Sequence, residues 1–226
     1  MQFQWLNREN NPDCILFMAG WGMGPEPFQD MAAGPVDLIM VYDYRSLEDC
    51  DLFSLLPENT ECRIHLLAWS MGIWVAGRLL KNFCFTSTFS STTAIGGTCR
   101  PIDDRYGIPC QLFDETIHDF SPEVLNDFYS AMFDSTEHAD QFLNHPPNRP
   151  LERLKEELVS LRAACRVMPE VPDIFQRRIV TTRDRIFPPR NQIRSWGRDN
   201  CESIALPHFP FYQWSSWAEL LELEDK

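Results

Sequence analysis

Ser70 stands in Ala68-Trp-Ser-Met-Gly72, directly after the apolar run Ile64-His-Leu-Leu-Ala68 and directly before a stretch of helical spacing. A strand that passes through a serine straight into a helix must turn sharply. That turn holds the serine in a strained conformation with its hydroxyl above the sheet, the context of a nucleophile elbow with the pattern G-x-S-x-G. Small residues are needed on both sides because backbones crowd there. Gly72 supplies one, and Ala68 replaces the other Gly with the next smallest side chain. The plainer alternative is a serine that only caps the following helix.

A serine hydroxyl is a weak nucleophile at neutral pH and needs a base, which in turn needs an orienting acid. Asp184, in Thr181-Thr-Arg-Asp-Arg-Ile-Phe-Pro-Pro189, lies just past a predicted strand in a loop closed by two prolines. His208, in Leu206-Pro-His-Phe-Pro210, lies just past the last predicted strand. The order Ser, acid, His fits the elbow architecture. Asp114 and Asp119 are weaker candidates for the acid. Acyl transfer also needs donors for the oxyanion. One is the N–H of Met71, next to the nucleophile. The other is expected from the glycine-dense loop Gly20-Trp-Gly-Met-Gly24, at the Trp21 amide; an ordinary tight turn is the alternative.

Other polar residues carry less. His65 sits in the buried strand and reads as a hydrogen-bonded core residue, whereas His118, His138 and His145 read as solvated or structural. Asp103 and Asp104, flanked by Arg100 and Arg105, read as an ion-paired turn. The eight cysteines are scattered singly, with no C-x-x-C and no H-E-x-x-H. They are expected to be buried small hydrophobes, with neither a disulfide framework nor a metal site.

The elements that must position these residues follow from punctuation and period. Strands are predicted at Phe3–Leu6, Cys14–Met18, Val36–Tyr42, Ile64–Ala68 and Thr92–Ile95. Helices are predicted near Pro25 and over Met71–Lys81. Strands separated by helices indicate a parallel sheet covered on both faces. From about Pro109 to Met168 the spacing is helical, with helices at Pro122–Phe133, Glu137–Leu143 and Leu151–Arg166. The β pattern then resumes: strands Arg178–Thr182 and Ser203–Leu206, helices Pro189–Trp196 and Ser215–Leu223. An all-helical block between strands of one sheet reads as a cap. The expected division is 1–108 core, 109–168 cap and 169–226 core.

The chain has 226 residues, 44% of them hydrophobic and 23% charged, which fits a globular protein and excludes a disordered or coiled-coil chain. No apolar run approaches the roughly 18 residues of a membrane span. The first ten residues show no basic stretch leading into an apolar one, so a cytoplasmic protein is expected. The net charge of −13 argues against nucleic acid and anionic membranes as partners. Yet residues 149–198 hold 12 of the 20 Lys and Arg and 6 of the 33 Asp and Glu, a local balance of +6.

The chain resembles the α/β-hydrolase superfamily and, more narrowly, the BioG family of pimeloyl-[acyl-carrier protein] methyl ester esterases. The likeness rests on Gly20-Trp-Gly22, Ala68-Trp-Ser-Met-Gly72, Ile95 to Pro109, Asp184 before Ile186-Phe-Pro-Pro189, and Pro207-His-Phe-Pro210. The stretch Gly97–Pro109 points to the narrower family. The resemblance implies an α/β-hydrolase fold with a mostly parallel central sheet and a helical cap. It further implies cofactor-independent hydrolysis of a methyl ester on pimeloyl-carrier protein, in biotin synthesis. Ser70 would be the nucleophile, His208 the base and Asp184 its orienting acid, with Trp21 and Met71 amides at the oxyanion. Carrier proteins of this class are acidic. Arg149, Arg153, Lys155, Arg162 and Arg166 are therefore expected to include the docking surface, with a solvated helix face as the alternative. Phe128, Met132, Phe133, Phe142 and Leu143 are expected to line an acyl channel, with plain packing as the alternative. A general short-chain esterase or thioesterase would share every catalytic residue, and a non-catalytic binding protein on the same scaffold is the more distant rival.

Overall fold

Short apolar runs bounded by turn residues fold as strands where the sheet is covered on both faces, because they are too short to complete a stable helix. The computed structural model describes residues 1–47, 52–57, 59, 61–81 and 88–222. Seven strands form one sheet: β1 (Gln2–Asn7), β2 (Asp13–Met18), β3 (Val36–Tyr42), β4 (Arg63–Trp69), β5 (Ser91–Ile95), β6 (Arg177–Thr181) and β7 (Glu202–Ile204). Their spatial order is β1-β3-β2-β4-β5-β6-β7. Edge strand β1 runs antiparallel to β3, and every other pair is parallel. Ala68 in β4 lies between Met18 in β2 and Ala94 in β5, so two small residues meet across β4 and β5 at the strand ends that carry the site.

The α-helices with defined bounds among the described residues are α1 (Met71–Leu80), α2 (Cys110–His118), α3 (Pro122–Ala131), α4 (Thr136–Asn144), α5 (Leu151–Val167), α6 (Pro189–Trp196) and α7 (Trp217–Glu222). The four from α2 to α5 lie between β5 and β6. Ser121 and Ser135 cap α3 and α4, each accepting a hydrogen bond from the N–H three residues on. The helix expected near Pro25 is only a single 3₁₀ turn, Glu26–Phe28. Helix α7 starts two residues later than the apolar spacing suggests, because Ser215 and Ser216 serve as capping partners of Glu219.

Period-two alternation along β2 sends Cys14, Leu16 and Met18 to one face and Ile15 and Phe17 to the other. The first face packs on Ile73, Trp74, Leu154 and Leu158. The second packs on Phe28, Phe209, Phe211 and Trp217, with Phe17 edge-on to Phe28 at 5.3 Å between ring centroids. Cys14, Cys99 and Cys165 are buried free thiols, as expected of small core residues, whereas Cys62, Cys110 and Cys201 are free thiols only partly buried, against the expectation; Cys50 and Cys84 lie outside the described residues. Among the described residues no helix is long and apolar enough to cross a membrane.

Candidate active site

Ser70 occupies the tip between β4 and α1 with φ 58° and ψ −128°. A positive φ at a non-glycine residue is a strained state, held here by the surrounding backbone. Its N–H donates to Ile95 O at 3.0 Å. A Cβ placed on Gly72 would lie 2.2 Å from Met18 O and 2.5 Å from Ala19 O. One on Gly97 would lie 2.7 Å from Ser70 O. The elbow is thus wedged between the ends of β2 and β5, and Gly72 is required by backbone that cannot swing aside.

Asp184 and His208 arrive on adjacent loops beyond β6 and β7. Thr182 N–H donates to Ile204 O at 2.8 Å and Arg183 N–H to Leu206 O at 3.0 Å, which extends the parallel pairing into both loops. The Asp184 carboxylate turns back on its own loop: Oδ1 accepts the N–H groups of Ile186 and Phe187, each at 2.8 Å. Oδ2 accepts from Thr181 Oγ1 at 2.8 Å, Gln192 Nε2 at 3.1 Å and His208 Nδ1 at 2.8 Å. His208 Nε2 stands 3.1 Å from Ser70 Oγ. An ionised carboxylate only accepts, so the proton of a neutral imidazole sits on Nδ1 and leaves Nε2 free to accept the serine hydroxyl. All three side chains are buried, His208 with 1% of its surface exposed. The Phe187 ring stacks over the imidazole at 6.0 Å and 10°. Trp69 Nε1 donates to His208 O at 2.7 Å.

Beside the serine lies a cavity of about 270 Å³. The core contributes Trp21, Met71 and Ile186; the inserted helices contribute Phe113, Val124, Phe128 and Leu158. The lining is apolar except for Ser70, Thr116, Asp127 and Arg185. Neither the Trp21 nor the Met71 N–H is engaged by a turn or loop hydrogen bond among the described residues.

Several expected site residues lie elsewhere. Of the proposed acyl lining only Phe128 reaches this cavity. Met132, Phe133 and Phe142 are buried in the core on the other sheet face, with Phe142 5.3 Å from Phe133 and 5.4 Å from Phe209, and Leu143 is exposed. Their helical spacing reports a buried stripe, and that stripe faces Phe209. Arg149 is not on an outer surface: its side chain is 8% exposed and pairs with Glu157 and Asp43. Arg162 is held by Asp114 through two hydrogen bonds of 2.6 and 2.7 Å. Arg153 and Arg166 are exposed and Lys155 partly so, with Arg153 3.3 Å from Glu156. Asp114 therefore serves Arg162, and Asp119 pairs with His118 at 2.5 Å; neither approaches His208 as a hydrogen-bond partner.

His65 is hydrogen-bonded in the core, to Ser91 at 2.8 Å and Asp13 at 2.9 Å. His138 contacts Gln213, and His145 pairs with Asp30. Asp103 accepts the N–H groups of Arg105 and Tyr106, and Asp104 caps α2 at Cys110 N–H. These are turn and cap hydrogen bonds in place of the expected ion pairs; Arg100 pairs instead with Glu170. No group of three metal-ligating side chains occurs among the described residues. Sequence reasoning did not single out Thr181, Gln192, Phe187 or the Trp69 indole. Only Thr181 left a local trace, three residues before the acid at a strand end.

The strand order, with an elbow after β4 and a histidine after β7, defines the class: this is an α/β-hydrolase-fold protein. The sequence matches the family profile described as "Pimeloyl-ACP methyl esterase BioG" over residues 1–220, and the chain belongs to the BioG family. The crystal structure of BioG from Haemophilus influenzae superposes with a TM-score of 0.83 at 29% identity, covering 97% of this chain and 99% of that one. A curated "Uncharacterized protein" of Haemophilus influenzae is 31% identical over 210 residues, 91% of this chain and 93% of that protein. A "Malonyl-[acyl-carrier protein] O-methyltransferase" of Bacteroides fragilis is 38% identical over 184 residues, 81% of this chain. The match spans only 36% of that relative's length.

Proposed function

We propose that this chain is a serine carboxylesterase that hydrolyses the methyl ester of pimeloyl-[acyl-carrier protein], releasing methanol in biotin biosynthesis. The observation that carries the reading is the hydrogen-bonded line Ser70–His208–Asp184 at the wall of an apolar cavity. The family's description names this substrate class. The activity named for the Bacteroides fragilis relative forms a methyl ester on a carrier-bound acyl group, the kind of bond removed here.

In this reading His208 Nε2 takes the Ser70 proton as Oγ attacks the ester carbonyl carbon. The Trp21 and Met71 amides hold the tetrahedral oxyanion, commonly a large share of the barrier reduction in acyl transfer. Collapse breaks the bond to the methoxy oxygen, which leaves as methanol with the proton from His208. Water, deprotonated by His208, then attacks the acyl-enzyme and returns Ser70 and the free carboxylate. Asp184 keeps the Nδ1–H tautomer and stabilises the imidazolium without taking the proton itself. No step calls on a cofactor or metal. The methylene chain of the substrate occupies the cavity lined by Phe113, Val124 and Phe128. Residues 109–168 act as the cap, between core parts 1–108 and 169–226. The acidic carrier protein docks on the accessible cations of α5: exposed Arg153 and Arg166 and half-buried Lys155.

The test is hydrolysis of the methyl ester of pimeloyl-carrier protein, followed by mass spectrometry, beside hydrolysis of p-nitrophenyl acetate. Strong preference for the carrier-linked ester, lost in Ser70→Ala together with fluorophosphonate labelling, is the expected result. Preference for the small ester points to a general esterase. A folded wild-type protein that neither hydrolyses nor labels overturns the enzyme reading.

A further inference from the structure

The loop that carries the Trp21 amide has glycine at 20, 22 and 24, and Gly22 has φ 77°. Glycine gives such a loop freedom, and freedom is the opposite of what an oxyanion donor needs, since a donor works by being fixed in advance. The loop is nevertheless fixed, by side chains from outside it. Tyr44 Oη donates to Ala19 O at 2.8 Å, with Val41 O at 3.1 Å as a second acceptor. Arg149 Nη1 donates to Met23 O at 3.2 Å. Tyr129 Oη reaches Gly22 O at 3.5 Å. Trp21 Nε1 donates to Leu154 O at 3.0 Å.

These anchors are tied to one another. Glu157 Oε1 accepts the Tyr44 N–H at 2.8 Å, and its Oε2 accepts Arg149 Nη1 at 2.6 Å. Arg149 Nη2 lies 3.0 Å from Asp43 Oδ1, and Asp43 is held in turn by Arg45 with two contacts of 2.7 Å. Glu157 is fully buried and the Arg149 side chain nearly so. Asp43 itself has a positive φ of 60°. A buried ion pair contributes little stability over an apolar pair of the same volume, so stability alone is a poor reason for this one. Its geometry offers another reason. The carbonyls of Ala19, Gly22 and Met23 are gripped on both sides of the Gly20–Trp21 peptide, whose N–H is the proposed donor.

Resting on the esterase reading, we infer that Arg149, Glu157 and Tyr44 are positioning residues for the Trp21 oxyanion amide. The inserted helices thereby complete the catalytic centre as well as cover it. Arg149 and Glu157 come from the start and middle of the α5 region, Tyr44 from the exit of β3, and they meet only when the inserted helices are seated on the core. A cap that lifted as a rigid lid would release the amide along with the substrate.

The experiment compares wild type with Tyr44→Phe and Arg149→Met. The readouts are kcat and KM on the methyl ester of pimeloyl-carrier protein, the inhibition constant of an alkyl boronic acid, and Tm. The boronate adds to Ser70 as a tetrahedral adduct whose oxygen occupies the oxyanion position, so its affinity reports that donor and not stability. The expected result is a kcat lowered about 10- to 100-fold with KM nearly unchanged, since a small misplacement of a reacting group costs up to that much. Boronate affinity should weaken in the same proportion. If Arg149→Met does not fold, Tyr44→Phe decides, because it removes one hydroxyl from a ring that stays packed. Unchanged kcat and boronate affinity in folded variants of an active wild type overturn this inference alone. A wild type inert to substrate and fluorophosphonate overturns the esterase reading and this inference with it.

Discussion

The indole N–H of Trp69 and the backbone carbonyl of His208 are joined at 2.7 Å, so the residue before the proposed nucleophile holds the loop of its proposed base. The indole also packs edge-on against Phe209 at 5.5 Å and Phe211 at 5.2 Å, which are neighbours of that histidine. Trp69→Phe deletes the donor and also leaves a cavity, because the indole is fully buried and larger than a phenyl ring. Leaving a buried carbonyl unsatisfied costs about 1–3 kcal/mol. The expected outcome is at least that loss in denaturant unfolding, with a lower kcat and a KM close to wild type. Wild-type kcat in the folded variant would show that the histidine is held by its other contacts.

The elbow makes a contrasting pair of substitutions informative. Gly72→Ala places a methyl 2.2 Å from Met18 O, which belongs to β2 and cannot withdraw without breaking the sheet. The expected outcome is severe destabilisation, of about 3 kcal/mol or more, or failure to fold. Ala68→Gly restores the commoner residue at the other flank. It is expected to cost about 0.5–1 kcal/mol, the entropic penalty of glycine in a strand, with the elbow intact. Thermal unfolding of both variants checks the contrast.

Asp184 Oδ2 is shared among His208, Thr181 and Gln192. Thr181→Val is nearly isosteric and removes one donor to this carboxylate. Hydrogen bonds to a charged acceptor contribute about 1.5–3 kcal/mol. Oδ1 stays fixed by the Ile186 and Phe187 N–H groups, while Oδ2 keeps only Gln192 beside His208, so kcat is expected to fall up to about tenfold with substrate affinity retained. A pH profile of kcat/KM checks the assignment: a change in its acidic limb shows that Thr181 acts on His208 through the Asp184 carboxylate, and a wild-type profile removes that role.

Much of the framework was legible because it is local. An apolar run of strand length ending at Ser70 and followed by helical spacing specifies the elbow within about a dozen residues. The glycine-dense loop and the two loop positions at 184 and 208 follow from strand ends in the same way. What was not legible depends on partners far away in sequence. The helical spacing of Met132, Phe133 and Phe142 defines a buried stripe but is silent on which sheet face it meets. Arg149 sits beside a proline-rich break, a surface signature, yet its partners are Glu157 and Asp43. The Trp69–His208 hydrogen bond has a backbone acceptor, which leaves no mark in side-chain pattern at all.

The response of stability to acid follows from buried carboxylates outside the proposed triad. Burial raises the pKa of Asp37, but the N–H groups of Glu9, Asn11 and Asn10 more than offset it and leave the pKa below the ordinary value. A carboxylate lowered in the folded state contributes stability that is full above its unfolded pKa, near 3.9, and is lost as pH falls through the folded value. Burial raises the Asp43 pKa too, but Arg45 and Arg149 together more than offset it and leave it lowered. Glu157 has the opposite sign: burial raises it, so its contribution is greatest in acid and declines as pH rises. Asp37→Asn is therefore expected to be less stable than wild type by about 1–3 kcal/mol at pH 7. The difference should shrink below about pH 4 as the wild-type carboxylate is protonated. Urea midpoints at pH 3 and pH 7 check the sign, and a gap that widens in acid would contradict it.

The proposed docking face can be separated from catalysis by charge reversal. The protein carries −13 overall, so an acidic carrier is repelled at long range and must find a local cationic surface. Arg149 and Arg162 are engaged with Glu157 and Asp114, which leaves Arg153, Lys155 and Arg166 as the more accessible cations of α5. Arg166 is only loosely paired, 3.9 Å from Asp114. The double variant Arg153→Glu, Arg166→Glu is expected to raise KM for the carrier-linked ester severalfold and to leave p-nitrophenyl acetate hydrolysis unchanged. Exposed charges are screened over about 10 Å at 0.1 M salt, so the defect should be largest at low ionic strength and fade as salt is added. Equal kinetics on the carrier-linked ester at low salt would place the carrier on another face, and an equal loss on both substrates would mean that α5 had been disturbed structurally.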